Sequence, residues 1–319
     1  MAVSFVSGTV RVRVPATSAN LGPGFDALGL ALALYDDVDA RVAAAGCAVE
    51  VVGEGADSLP RDGEHLVVRA MSAAFDALGA RPSGLAVACR NRIPQARGLG
   101  SSSAAIVAGL SLARALVVGG SRHLPDADLL RLAADIEGHP DNVAPCLLGG
   151  LTIAWMQERA DAGGRPGGAR AVRLVPAEGL RPTVFVPRER GLTEAARTAL
   201  PAAVPHADAA RTAGRSALLV HALTADPALL FPATEDWLHQ TYRAAAMPGT
   251  AALVAALREA GVAAVVSGAG PAVLALTPVP PAFQPGMGWQ AEQLPIDVAG
   301  TTVYPGRLEH AERDPVAAG

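Results

Sequence analysis

In GTVRVRVPA, Val10, Val12 and Val14 alternate with Arg11 and Arg13, the period of two that gives a strand one apolar and one wet face. Pro15 is expected to close it. The stretch TSANLGPGFDALGLALALYDDV then runs from a polar, glycine-rich loop into an apolar second strand. Over 64–79, Leu66, Val67, Ala70, Ala74 and Leu78 fall on one helical face, and Gly79 supplies a stop. GLAVACRNRIP reads as a strand ending at Pro94. From Ser102 onward, Ile106, Val107, Leu110, Ala113 and Val117 predict a helix of several turns. A second helix, from about Asp126 to Glu137, carries Leu129, Leu132, Ala133 and Ile136 on one face, with Asp126 as candidate N-cap.

The Gly- and Arg-rich segment 157–172 is either a domain linker or a long hairpin loop between LTIAW and AVRLV, and the hairpin is preferred. Further on, RPTVFVP predicts a strand, TEAARTALP and 208–224 helices, MPGTAALVAALREAG a helix stopped by Gly261, and AAVVSGAGPAVLALT two strands about a glycine turn. Strands, helices and apparent hairpins in mixed order predict an α+β fold in two layers.

Composition narrows the function. The chain has 319 residues, long enough for two domains, and a net charge of -4 with dispersed arginines, which excludes a basic nucleic-acid footprint. The N-terminus lacks the pattern of a signal peptide, and no window reaches the roughly 18 apolar residues of a spanning helix, so no membrane partner and a cytoplasmic location are expected. Cys47, Cys89 and Cys146 are far apart in apolar surroundings and read as small core residues.

The densest chemistry lies in IPQARGLGSSSAA. Glycines allow close backbone approach, and a helix starting at the serines aims its N–H groups and dipole at an anion. The plainer alternative is a tight turn with Ser101 as helix cap. GxxxxGK[ST] is absent, and GLGSSS lacks the third glycine of the dinucleotide fingerprint. Three hydroxyls point instead to a magnesium nucleotide. Glu137 is the candidate carboxylate partner, because an antiparallel second helix would return its end to the start of the first.

Four blocks, PATSANLGPGFDALGLAL, PQARGLGSSSAA, EGHPDNVAPCLLGGLT and SGAGPAVLAL, stand in the order and spacing of the motifs of the GHMP kinase superfamily, and the chain resembles its homoserine kinase branch, to about residue 277. The lesser block LHQTYRAAAMPG extends the likeness. The resemblance implies an N-terminal domain of ribosomal protein S5 domain 2 type over 1–172, a ferredoxin-like C-terminal domain over 173–319, and a cleft between them for ATP and substrate. It implies γ-phosphoryl transfer from ATP, with Mg2+, to the side-chain hydroxyl of L-homoserine, and a homodimer of the chain. Pro94, Gln95, Ala96, Arg97, Gly98, Leu99, Gly100, Ser101, Ser102, Ser103 and Ala104 would form the phosphate loop. Ser102 and Glu137 would bind the metal, and Asn142 would meet the substrate at the reacting centre.

Within the resemblance, Asp26 would accept from the α-ammonium of homoserine and Asn20 would bond a polar group of it. Arg197 and Arg243 are the candidates for the carboxylate, with Thr193 as accessory, because a guanidinium grips a carboxylate through two parallel bonds. Asp141 is read as orienting the HPDN turn rather than as a base, and phosphoryl transfer does not require one. His139 either touches the nucleotide or holds the turn. The SGAGP turn would pack on the phosphate loop. A kinase for a related acceptor such as threonine, or a non-catalytic sensor on the same fold, are the alternatives.

Overall fold

The computed structural model describes residues 3–160, 163–164, 166–188 and 198–306. Two sheets organise it. The first has seven strands: β1 (Val10–Ala19), β2 (Leu28–Val42), β3 (Gly46–Gly53), β4 (Gly84–Asn91), β5 (Leu151–Gln157), β6 (Gly168–Leu174) and β11 (Thr302–Pro305). Its main path runs β11-β1-β2-β4-β3, with β5 on the other end of β2 and β6 on β5. Every pairing in it is antiparallel except β3 with β4.

One face of this sheet is covered by α1 (Leu66–Ala77), α2 (Ser101–Leu116), α4 (Asp126–Glu137) and α5 (Val143–Leu148), with the short α3 (Gly120–His123) between them. The alternation in β1 is why: Val12 and Val14 are fully buried toward the helices, while Arg11 and Arg13 pair with Asp39 and Asp37 on the other face. α2 is the central helix, with Ile106, Leu110, Leu112 and Leu116 buried around its circumference. Each such side chain contributes about 1.5–3 kcal/mol through removal from water.

The second sheet runs β10 (Trp289–Gln293), β7 (Thr183–Pro187), β9 (Val273–Ala275), β8 (Ala264–Val266), all antiparallel. Its period of two divides it between two cores. Val184, Val265 and Leu274 join the main core, whereas Phe185, Ala264, Val273 and Ala275 pack with Leu253 and Leu257 of a helix at Pro248–Glu259. That helix is α9. It follows α6 (His206–Thr224), α7 (Leu230–Ala233) and α8 (Gln240–Arg243).

Three expectations need correction. β1 does not stop at Pro15 but runs to Ala19 through a register shift at Pro15/Ala16. The missing N–H of proline is tolerated there because β11 pairs only Val10 to Arg13, leaving that side of Pro15 outside the ladder. Pro125, not Asp126, is the N-cap of α4; Asp126 sits in the first turn, where its charge favours the helix dipole. Cys89 and Cys146 are buried but Cys47, on the edge strand β3, is exposed. The division at 172/173 falls inside β6, and the segment beyond Thr277 builds β10 in one sheet and β11 in the other. β5 and β6 pair antiparallel, from Leu151 with Leu174 to Gln157 with Gly168, as the hairpin reading expects, and residues 168–172 belong to strand β6 rather than to a loop. TEAARTALP lies mostly outside the described residues.

Candidate active site

The loop over 94–104, the candidate phosphate loop, is shaped by backbone that only a few residues tolerate. Ala96, Gly98 and Gly100 have φ of 54°, 77° and 71°, in the left-handed region. A Cβ on Gly98 would lie 2.2 Å from the Ser267 carbonyl oxygen, and one on Gly100 would lie 1.9 Å from Thr17 Oγ1. Gly100 is the N-cap of α2, and no side chain caps the helix. The reading of Ser101 as a cap is therefore set aside, and the first N–H groups of α2 are offered to an anion.

Glu137 ends α4, which returns antiparallel to α2. It accepts from Ser102 Oγ on Oε2 and from Ser103 Oγ on Oε1, each at 2.9 Å. The partnership with Ser102 follows the expectation; the second one, with the fully buried Ser103, had no sequence signal. Among the described residues no three His, Cys, Asp or Glu side chains gather to hold a metal. A hydroxyl beside one carboxylate suits magnesium, which usually takes one or two carboxylates and completes its shell with phosphate and water.

After Gly138 closes α4, the HPDN turn brings Asn142 back toward the loop. His139 Nδ1 meets Asp141 Oδ1, and Asp141 is 1% exposed. Thr17 Oγ1, on β1, donates to Asn142 Oδ1 at 2.7 Å. Asn142 Nδ2 reaches only 3.5 Å from Asp141 Oδ1. Sequence reasoning did not single out Thr17: it lies in a quoted motif, but its partner Asn142 is 125 positions away.

Opposite the loop stand Asn20, Asp26 and Arg243. Asn20 engages both ends of its amide, accepting from the Asp26 N–H at 2.9 Å and donating to the Gly268 carbonyl at 2.9 Å. It so holds Asp26, whose φ is 53°, in the turn. Arg243 is 1% exposed, donates from Nη1 to His239 Nδ1 at 3.1 Å, and lies 5.3 Å over the Phe25 ring. His239 in turn donates from Nε2 to the Gly22 carbonyl at 2.8 Å. Burial pushes the His239 pKa down, which keeps the ring in the neutral form that accepts from the guanidinium. A guanidinium on the cleft wall has the planar fork that suits a carboxylate. Thr193 and Arg197 lie outside the described residues.

The SGAGP turn locks the loop from the second domain. Ser267 Oγ donates to the Gly98 carbonyl at 2.7 Å and lies 2.8 Å from Ser18 Oγ, and the Ala272 N–H donates to the Arg97 carbonyl at 3.1 Å. Arg97 spans the domains too, donating to the carbonyls of Gln95, Pro187 and Arg188, each at 2.9 Å.

One cleft thus gathers Asn20, Asp26, Ala96 to Ser102, Glu137, His139, Asp141, Asn142 and Arg243. A second cavity of about 220 Å³ adjoins it, sharing Ala96, Ser101 and Ser102, with apolar walls from Val14, Val38, Leu59, Leu66 and Val67. Pro94 precedes this junction, Gln95 lines the second cavity, and Ser103 and Ala104 are buried in the first turn of α2.

Residues 65–150 match the family described as GHMP kinases N terminal domain, and 219–282 the family described as GHMP kinases C terminal. A homoserine kinase of Streptomyces coelicolor is 57% identical over 306 residues, covering 95% of this chain and 96% of its own. A homoserine kinase of Clavibacter michiganensis is 51% identical, over 92% and 93% of the two chains. Among solved structures, a homoserine kinase from Cytophaga hutchinsonii superposes with a TM-score of 0.77 at 26% identity, over 95% of this chain and all of that one. With a likeness that spans both sheets and the loop between them, the chain belongs to the homoserine kinase family of the GHMP kinases.

Proposed function

We infer that the chain transfers the γ-phosphoryl group of ATP to the side-chain hydroxyl of L-homoserine. One observation carries the reading: the uncapped start of α2 faces Glu137 on one side and Asp26, Asn142 and Arg243 on the other within a single cleft. The homoserine hydroxyl oxygen attacks the γ-phosphorus as the bond to the bridging oxygen of ADP breaks. Donors aimed at the phosphates and a held acceptor lower the barrier through charge neutralisation and positioning.

The loop N–H groups hold the phosphates, and the apolar cavity next to it takes the base. Ser102 and Glu137 would hold Mg2+, which would supply positive charge to the phosphate oxygens. Arg243 anchors the substrate carboxylate and Asp26 its ammonium, with Asn20 acting through Asp26. Asn142 donates from Nδ2 toward the reacting oxygens. Asp141, engaged by His139, orients the turn, so the hydroxyl proton leaves to phosphate or water rather than to a side-chain base.

No helix among the described residues is long and apolar enough to cross a membrane. A cytoplasmic location accords with the use of ATP. A homodimer, implied by the family, is checked by analytical ultracentrifugation. The activity is tested by offering ATP and Mg2+ with homoserine, threonine or mevalonate and measuring ADP. Formation of ADP with homoserine above the other two is expected; ADP with threonine alone transfers the assignment to that acceptor.

A further inference from the structure

The fully buried His239 stands where the segment bearing Arg243 meets the turn bearing Asp26. The buried side chain of Asp236 fixes the start of α8, with Oδ1 accepting from the Leu238 N–H at 2.8 Å and Oδ2 from the N–H groups of His239 at 3.2 Å and Gln240 at 2.8 Å. The Arg243 N–H donates to the His239 carbonyl at 3.1 Å, one helical turn back, so the two side chains leave the same face and meet. A guanidinium has only donors to offer, so His239 Nδ1 accepts. Nε2 faces acceptors, the Gly22 carbonyl at 2.8 Å and Asp236 Oδ2 at 3.5 Å, so the ring is neutral with its proton on Nε2.

Gly22 is 217 positions from His239 and belongs to the turn that carries Asn20 and Asp26. Phe25, next to Asp26, has its ring centroid 5.1 Å from that of His239 and 5.3 Å from Arg243 Cζ. His239 thus bonds the Arg243 side chain at one edge and the Asp26 turn at the other, through a rigid ring whose nitrogens keep a fixed spacing. Asp26 and Arg243 both line the cleft. We propose that His239 is a positioning residue that sets Arg243 and Asp26 at the separation required by the carboxylate and ammonium of an α-amino acid, and so selects acceptors that carry both charges. The inference rests on the reading of Arg243 and Asp26 as the contacts of those two groups.

His239→Phe keeps a ring against Phe25 and removes both bonds, whereas His239→Gln restores one acceptor and one donor. Binding is followed by calorimetry with homoserine, with 3-amino-1-propanol, which lacks the carboxylate, and with 4-hydroxybutyrate, which lacks the ammonium. A ligand with one charge can follow a shifted partner, but a ligand with both cannot satisfy two displaced partners at once. His239→Phe is expected to bind homoserine about tenfold more weakly, and to bind each single-charge analogue and the β,γ-imido analogue of ATP within about twofold of the wild type. His239→Gln should recover most of the loss. A merely structural role would lower the Tm and leave the ratios of homoserine to its analogues unchanged, and an unchanged ratio to either analogue in folded His239→Phe overturns the proposal. Should that variant not fold, nitrogen NMR of the wild-type imidazole carries the test: a neutral His239 ring with its proton on Nε2 supports the proposal, and a proton on Nδ1 overturns it. If homoserine binding depends on His239 but no ADP is formed, the function assignment fails alone; if ADP is formed and the ratios are unchanged, the proposal fails alone.

Discussion

Thr17 Oγ1 donates to Asn142 Oδ1 at 2.7 Å, so a residue of the first strand orients an amide at the start of α5. With its oxygen held, the Asn142 amide turns its NH2 group away from Thr17. The same hydroxyl oxygen is the atom that a Cβ on Gly100 would strike. Gly100, Asn142 and β1 are therefore joined at one point. Thr17→Val removes the donor at nearly constant volume. We expect kcat to fall about tenfold, the worth of one hydrogen bond, with little change in the KM for ATP. Thr17→Ser should restore it; a purely structural role would instead show as a lower Tm with kcat intact.

Gly100→Ala asks more of the loop. The new Cβ meets Thr17 and the φ of 71° is strained for alanine. Loss of about 1–3 kcal/mol of stability is expected, together with loss of nucleotide binding. Urea unfolding and calorimetry measure the two.

Glu137→Gln keeps the shape and an acceptor for one serine but removes the charge that suits a metal. Turnover should fall about a hundredfold or more, with the melting temperature nearly unchanged. A magnesium titration of the residual activity checks the cause: an unaltered magnesium dependence would sink the assignment of Glu137.

Arg243→Lys retains a cation but not the planar fork or the stacking over Phe25. The KM for homoserine should rise about tenfold or more, because a charge-assisted bond contributes about 1.5–3 kcal/mol. The KM for ATP should stay within about twofold. Equal rises in both would show that Arg243 does not anchor the substrate.

Asp36 gives the chain a pH dependence of stability. Burial pushes its pKa from 3.8 up to about 6, against the N–H groups of Ile93 and Arg92, which favour the charged form. The folded state thus holds the proton more tightly than the unfolded one. Stability from this group is present at low pH and is lost as pH rises from about 4 to about 6. Asp36→Asn keeps an acceptor for both N–H groups and removes the titration. At pH 7.5 it should stabilise the protein by at most about 3 kcal/mol, with the gain shrinking below pH 5 in urea titrations.

Much of this was legible in the sequence because it is written in local periods. The spacing of Leu129, Leu132, Ala133 and Ile136 predicts a helix ending at Glu137, and α4 ends there. Antiparallel return of that helix then carries Glu137 to Ser102. The GLGSSS loop read as an anion site or as a capped tight turn, and the motif order announced the family. The SGAGP turn does pack on the loop, through Ser267 and Gly98.

Other features have no local period to betray them. Whether Pro15 ends a strand depends on where β11, from the far end of the chain, stops pairing with β1. That Ser103 shares Glu137, that Thr17 holds Asn142, and that Asn20 commits its amide to Asp26 and Gly268 are choices of partner among distant groups. By itself the sequence determined the elements, the loop and the family, since hydrophobic spacing and glycine conformations act between near neighbours. Only the tertiary structure decided which hydroxyl meets which carboxylate and which amide is held, because those bonds form when packing of α2 against the sheet brings separate segments within hydrogen-bond reach.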